Sequence, residues 1–454
     1  MSSLTISGGT VITRAGGVRA DLEVTDGRIR SLSEPGMAAT GARQIDASGC
    51  LVLPGGVDPH THVMGDIVAA TRAAALGGTT TVLSFTNPAS GESGLDCLLR
   101  RERELAATGP VVDVGLHAML YEPDRVRIEE LQAIRDRGAC AVKVFLAYAE
   151  LGIMWSERGL FELMTAAART GQIVQVHCEE GELIDGLLDK ALVSGSKGPR
   201  VFADTRPPQA ESAAVARTLA TAAVTGACCY LTHLSCASSI SQVRLARHAK
   251  TARLWAEVCL HHLLLDSTRY ESTDAERYLV APPLRSLEDC EQLWEALSDG
   301  TIDTLGSDHS QTRSETIADI SLSGRGYYYG LAGIGARVPL ALSRGLARGL
   351  PIERLVHLVS TGPALAFGIH PKKGSIAPGS DADIVIWDPV PTTTLGTYSF
   401  DDGTGDSVYD GEPLVGQVRD VLVRGEQVVR DGHYLGAEPA GRYVRASRSD
   451  PSRL

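Results

Sequence analysis

Five points along the chain carry residue types that together could hold metal ions: His60-Thr61-His62, Lys143, His177, His233 and Asp308. Each closes, or lies within, a short apolar run that reads as a strand. Alternate side chains on a strand face the same way, so His60 and His62 can offer both imidazoles to one ion. Imidazole suits zinc, nickel, iron or manganese. Taken singly, His177 and His233 read equally well as core histidines satisfied by backbone carbonyls. Taken with the His-x-His pair and Asp308, they make four imidazoles and one carboxylate at strand ends, which packing does not explain. Lys143 sits in the run VKVF (142–145), where a protonated amine is costly. Two readings are open there. One is a buried lysine paired with a carboxylate. The other is a neutral amine that has taken up carbon dioxide as a carbamate, whose two oxygens could bridge two ions.

Such a constellation needs a scaffold that brings distant strand ends together. Eight apolar runs qualify: 51–57, 80–85, 111–119, 141–146, 173–177, 229–233, 254–258 and 302–306. Most are continuous rather than alternating, as strands buried on both faces are. Helical patterns at 96–108, 128–137, 160–170, 211–225 and 290–297 lie between them. Eight parallel strands with helices between predict an α/β fold, a (β/α)8 TIM-like barrel over 53–365, with its chemistry at the carboxyl ends of the strands. A doubly wound sheet is the rival, but no GxGxxG turn follows the first strand. Both ends of the chain are rich in short strands and turns. Neither is large enough for a good core, so residues 1–52 plus 366–437 are expected to form one composite β-sandwich domain. The polar, Arg-rich stretch 438–454 reads as a tail, or an arm that docks on a partner subunit.

The 454 residues carry 43 Lys+Arg against 55 Asp+Glu, a formal charge of -12, which argues against a broad nucleic-acid-binding face. No apolar run of about 18 residues exists to cross a membrane, and no signal peptide is seen. Nine cysteines, an odd number with no CxxC pair, fit reduced cytosolic thiols, hence a cytoplasmic protein.

The chain resembles the amidohydrolase superfamily, in its dihydropyrimidinase/hydantoinase branch. The resemblance rests on PGGVDPHTH (54–62), GGTTT (77–81), KVFLAY (143–148), VHCEE (176–180), TRPP (205–208), HLS (233–235), APPLR (281–285), SDH (307–309) and KGSIAPGSDADIV (373–385). It implies two divalent ions, usually zinc. His60 and His62 hold the first with Asp308, His177 and His233 hold the second, and carboxylated Lys143 bridges them. It also implies a small cyclic amide, imide or ureide substrate and a homotetramer built from dimers, with a homodimer as the smaller possibility. In the implied mechanism a metal-bridging hydroxide opens the ring. Asp308 shuttles the proton to the leaving nitrogen, and Tyr148 donates to the oxyanion.

Four departures from the branch bear on the substrate. The connection from His62 to Gly77 is short, lacking the longer insert that forms a lid. Ala281 stands where a ring-contacting Ser is usual. Tyr329, in the run Tyr327-Tyr328-Tyr329, stands where Asn is usual and could wall an extended substrate. His261-His262 resembles allantoinases and dihydroorotases. Dihydroorotase fits poorly, because Val63-Met64-Gly65 lacks the Arg that would bind its substrate's carboxylate. Allantoinase, or a specialised cyclic amidohydrolase, stays open as an alternative. A non-catalytic scaffold relative is the rival of another class. The presence of every expected ligand argues against it. His117, Cys178 and His309 read as packing or supporting residues.

Overall fold

In the computed structural model, the residues described are 3–37, 43–121, 128–196, 198–311, 330–396, 400–405, 407–436 and 440–447. The N-terminal strands are β1 (Ser3–Ser7), β2 (Thr10–Thr13), β3 (Gly16–Arg19), β4 (Asp21–Thr25), β5 (Arg28–Ser33), β6 (Arg43–Asp46) and β7 (Leu51–Pro54). The central strands are β8 (Gly56–His62), β9 (Thr79–Phe85), β10 (Asp113–Met119), β11 (Ala141–Phe145), β12 (Val174–His177), β13 (Cys228–Leu231), β14 (Arg253–Cys259), β15 (Thr304–Gly306) and β16 (His309–Ser310). The last are β17 (Ile384–Thr394), β18 (Pro413–Val423), β19 (Glu426–Arg430) and β20 (His433–Tyr434).

The continuous apolar runs do what their pattern predicts. Strands β9 to β13 are buried at every residue and pair in parallel. The sheet runs β15-β14-β13-β12-β11-β10-β9-β8-β16. Its two edge strands are pieces of one segment. β15 pairs with β14 and β16 with β8, and only Ser307 and Asp308 separate them. The sheet therefore curls until its edges meet, a TIM-like barrel whose eighth strand is broken at Asp308, where φ is 48°. All five expected helices form, at Gly94–Thr108, Glu130–Asp136, Glu157–Thr170, Pro208–Thr225 and Leu287–Ser298.

The run 51–57 is two strands rather than one. Leu51–Pro54 pairs antiparallel with β17, in the terminal sheet. The barrel begins after Gly55. A Cβ on Gly55 would lie 2.0 Å from Thr80 Oγ1, so only glycine lets the chain pass from one sheet to the other here. The terminal strands form two sheets, β5-β4-β1-β6 and β20-β19-β18-β17-β7-β2-β3. Leu4, Ile6 and Leu22 of the first face Val11, Ile384 and Leu422 of the second in one core, to which both ends of the chain contribute.

A buried charge cluster joins this sandwich to the barrel. Lys373 Nζ is enclosed by Asp381 at 2.9 Å, Asp383 at 2.6 Å and Asp113, the first residue of β10. Asp113 also takes the Arg424 guanidinium and the Arg442 backbone N–H, the latter at 2.7 Å. Removing one partner of such a cluster strands the others. Lys373→Met is expected to cost about 3–5 kcal/mol of stability, read from the urea midpoint. An unchanged midpoint would mean the cluster clamps nothing.

The described part of the C-terminal stretch lies on its own barrel. Arg442 C=O accepts from Val114 N–H at 2.9 Å, and Val444 N–H donates to Val114 C=O at 2.8 Å. The pairing of β10 with β11 starts only at His117. Residues 440–447 thus occupy a stretch of strand that β11 does not reach, which satisfies backbone groups otherwise left open.

Candidate metal centre and cavity

The barrel delivers the sequence-predicted residues to one mouth. His60 and His62 end β8, and His177 ends β12. Lys143 is the middle residue of β11, while His233 and Asp308 lie just beyond β13 and β15. All six line a cavity of about 530 Å³, as do Tyr148 and Ala281. Tyr329, with its neighbouring tyrosines, lies outside the described residues. Four non-glycine residues at this cavity have positive φ: Asn87 (54°), Tyr148 (71°), His233 (39°) and Asp308 (48°). Backbone held in that region is costly and gathers where side chains must be aimed.

Ligating atoms of His60, His233 and Asp308 all lie within 4.8 Å of one another. Asp308 Oδ1 is 2.9 Å from His60 Nε2 and 3.3 Å from His62 Nε2. His177 Nδ1 is 3.0 Å from His233 Nε2. Carboxylates behind two rings set their tautomers. Glu257 Oε1 is 2.7 Å from His60 Nδ1, and Glu179 Oε2 is 2.8 Å from His177 Nε2. Each carboxylate holds a ring proton on its own side and leaves the opposite nitrogen facing the site, where an ion would take the place of any proton it carries.

The electrostatics fit a cation. Burial pushes His62, His177 and His233 down, leaving neutral rings with lone pairs to offer. Burial opposes the charge on His60 too, but Asp308 and Glu257 draw its pKa up to about 9. A proton thus takes the place between carboxylates that a metal ion would fill. Burial raises the Asp308 carboxyl, yet His60 and His62 outweigh it and hold it well below the usual carboxylate range.

Burial lowers the Lys143 amine to about 8, against the pull of Asp308 and Glu257. Its Nζ donates to Thr232 Oγ1 at 2.8 Å and lies over the rings of Phe85 and Phe145, at 5.3 and 5.4 Å. Among the described residues, no carboxylate lies within ion-pair distance of it. The paired-lysine reading therefore lacks its partner, while the lowered pKa leaves a substantial share of the amine neutral near pH 8, the form that adds carbon dioxide.

Sequence reasoning missed Glu257 and Glu179. The signal for Glu257 was a lone acid inside the apolar run LWAEVC (254–259). For Glu179 it was an acid two residues past His177. Glu257 is also engaged by Tyr230 Oη at 2.7 Å and by His233 N–H at 2.9 Å, so it supports the site without facing into it. Glu257→Gln is expected to weaken metal retention roughly 10–100-fold, measured by competition with a chelator. Unaltered retention would show that His60 needs no such anchor. Of the residues read as packing, His117 bonds Pro59 C=O at 3.0 Å, and Cys178 is buried against Val176 and Thr218. His309 Nδ1 accepts from Gly333 N–H at 3.3 Å. His261 and His262 are both buried and do not line the cavity.

Known proteins agree with this architecture along nearly the whole chain. A model of the amidohydrolase family matches residues 51–428. A D-hydantoinase of Ralstonia pickettii is 34% identical over 453 residues, covering 97% of this chain and 98% of the relative. A dihydropyrimidinase structure from Brevibacillus agri superposes with a TM-score of 0.92 at 33% identity, covering 99% of this chain and 100% of that one. An L-hydantoinase (dihydropyrimidinase) structure from Arthrobacter aurescens gives 0.90 at 28% identity, covering 98% and 100%. The chain belongs to the amidohydrolase family and is a hydrolase of the hydantoinase and dihydropyrimidinase type.

Proposed function

We propose that this protein opens neutral cyclic amides, imides or ureides by hydrolysis at a centre of two divalent ions, zinc foremost. The observation that carries the reading is one cavity lined by all six ligand candidates and by Tyr148. His60, His62 and Asp308 would hold one ion, and His177 and His233 the other. Lys143, carboxylated by carbon dioxide, would bridge them. When bound, the ions supply Lewis acidity, which polarises a ring carbonyl and makes water more acidic.

The chain's own groups do the rest. Asp308 Oδ1 lies between His60 Nε2 and His62 Nε2, 2.9 and 3.3 Å away, and its carboxylate can take the proton from attacking water and return it to the departing ring nitrogen. Tyr148 is aimed inward by its left-handed backbone, its ring 5.1 Å from that of His177. Its hydroxyl would donate to the oxygen on which charge develops. Ala281 at the cavity wall offers backbone but no hydroxyl to the ring. Tyr329 is proposed as a further wall residue.

Two features favour a neutral ring over an acidic one. Lys143 is the one Lys or Arg among the described lining residues, so a carboxylate substituent finds no further cation. The His261-His262 pair that resembled dihydroorotases and allantoinases does not line the cavity, though a His261 ring nitrogen lies within 4.8 Å of an Asp308 carboxylate oxygen. A homotetramer, or a homodimer, is proposed for the assembly. A cytoplasmic location is supported by nine unbridged, buried cysteines and by the lack of any described helix able to cross a membrane. The test is metal removal: protein stripped by a chelator should lose hydantoin or dihydrouracil hydrolysis, and zinc with bicarbonate should restore it. Full activity in stripped protein would refute the metal centre.

A further inference from the structure

The barrel changes partner where its chemistry sits. β15 pairs with β14 up to Gly306, and β16 pairs with β8 only from Thr61 onward. Ser307 and Asp308, between them, belong to neither ladder. A side chain takes over there. Asp58 Oδ1 accepts from Ser307 N–H at 3.1 Å and from His60 N–H at 3.3 Å. Ser307 Oγ closes the joint: it donates to His60 C=O at 3.3 Å and accepts from His309 N–H at 3.1 Å. One carboxylate oxygen thus joins β8 to the neighbour of Asp308, 249 positions further along the chain.

Asp58 is itself held in place. It is wholly buried, and so is Arg337, whose Nε lies 3.2 Å from Asp58 Oδ2. Arg337 Nη1 donates to Leu305 C=O on β15 at 2.9 Å, and Nη2 donates to Thr79 Oγ1 on β9 at 3.2 Å. The guanidinium therefore ties Asp58 to the strands on both sides of β8. A buried ion pair is a weak source of net stability, since apolar side chains of the same size often serve as well. Neither residue lines the cavity, so neither touches substrate. What the pair supplies is a fixed acceptor for two backbone N–H groups that no ladder holds together.

The consequence falls on one ion. His60 Nε2 and His62 Nε2 stand 2.9 and 3.3 Å from Asp308 Oδ1, and these three residues come from the two segments that Asp58 joins. Resting on the two-ion reading above, we propose that Asp58 is a positioning residue. With Ser307 as its second contact, it sets the spacing of His60 and His62 against Asp308, and so the affinity for the ion those three hold. None of these hydrogen bonds reaches β12 or β13, which bring His177 and His233. Asp58 therefore acts on one ion and leaves the other.

The test titrates cobalt(II), with bicarbonate, into the full chain stripped of metal, and reads the number of ions and their affinities from visible absorption. Two double variants keep the buried charge balanced. Asp58→Asn with Arg337→Gln retains the accepting oxygen, while Asp58→Leu with Arg337→Met removes it. The native chain is expected to take two ions, and the first double variant to do so with affinities close to native. In the second, one ion should bind roughly 10–100-fold more weakly and the other nearly as before. The weakened ion should be the one that His62→Ala also loses. Ser307→Ala, a mild change at an interior hydroxyl, removes the second contact alone and should weaken the same ion by about threefold or more. Unchanged affinity in Ser307→Ala, or equal losses in both double variants, would overturn the role of Asp58 while leaving the two-ion centre intact. A native chain that takes up fewer than two ions would overturn the two-ion reading, and this proposal with it.

Discussion

Lys143→Ala is expected to remove most bound metal and ring-opening activity together. The argument starts from the residue's surroundings. Lys143 is almost wholly buried, over two phenylalanine rings, with the Thr232 hydroxyl as its one hydrogen-bond partner among the described residues. His62, His177 and His233 are neutral rings, and Asp308 is the one carboxylate among the described residues lining the cavity. Two divalent ions would bring four positive charges, which Asp308 alone would balance poorly. A carbamate on Lys143 would add the missing anion. Without it, metal content should fall well below two per chain and kcat/KM by on the order of 10³-fold. Lys143→Arg decides between the two readings of this residue. Arginine keeps the charge but stays protonated and forms no carbamate. If lysine acted as a cation, the arginine variant would retain function; the carbamate account predicts that it fails as alanine does. Full metal content and rate in either variant would sink the bridge.

Asp308→Asn is expected to lower kcat about 10²–10⁴-fold, the range of a lost proton-transfer group. Asparagine keeps the shape, and its oxygen can still face an ion held by His60 and His62, so part of the metal should remain. It cannot take a proton from water and return it to nitrogen. The loss should therefore fall on kcat more than on KM. Metal content measured on the same sample separates the ligand role from the proton role. A nearly normal rate would place the base elsewhere.

The barrel and the gathering of the candidate ligands were readable because both follow local rules. Parallel strands buried on both faces are continuous apolar runs, and each candidate sits in one or near its end. What could not be read depends on contacts distant in sequence. Glu257 matters because it reaches His60, 197 residues away. The break at Asp308 arises because one segment must pair with β14 on one side and β8 on the other. The run 51–57 looked like one strand, since nothing local marks where the chain leaves one sheet for the other except Gly55. The final stretch read as a tail because its polar composition hides the backbone pairing that seats 440–447 along β10.

The most direct test is hydrolysis of hydantoin and dihydrouracil by protein whose metal has been counted. The account predicts about two divalent ions per chain, as a binuclear centre requires, and turnover of at least one ring to its open N-carbamoyl acid. Protein carrying two ions per chain that opens neither ring, nor any other neutral cyclic amide, would contradict it.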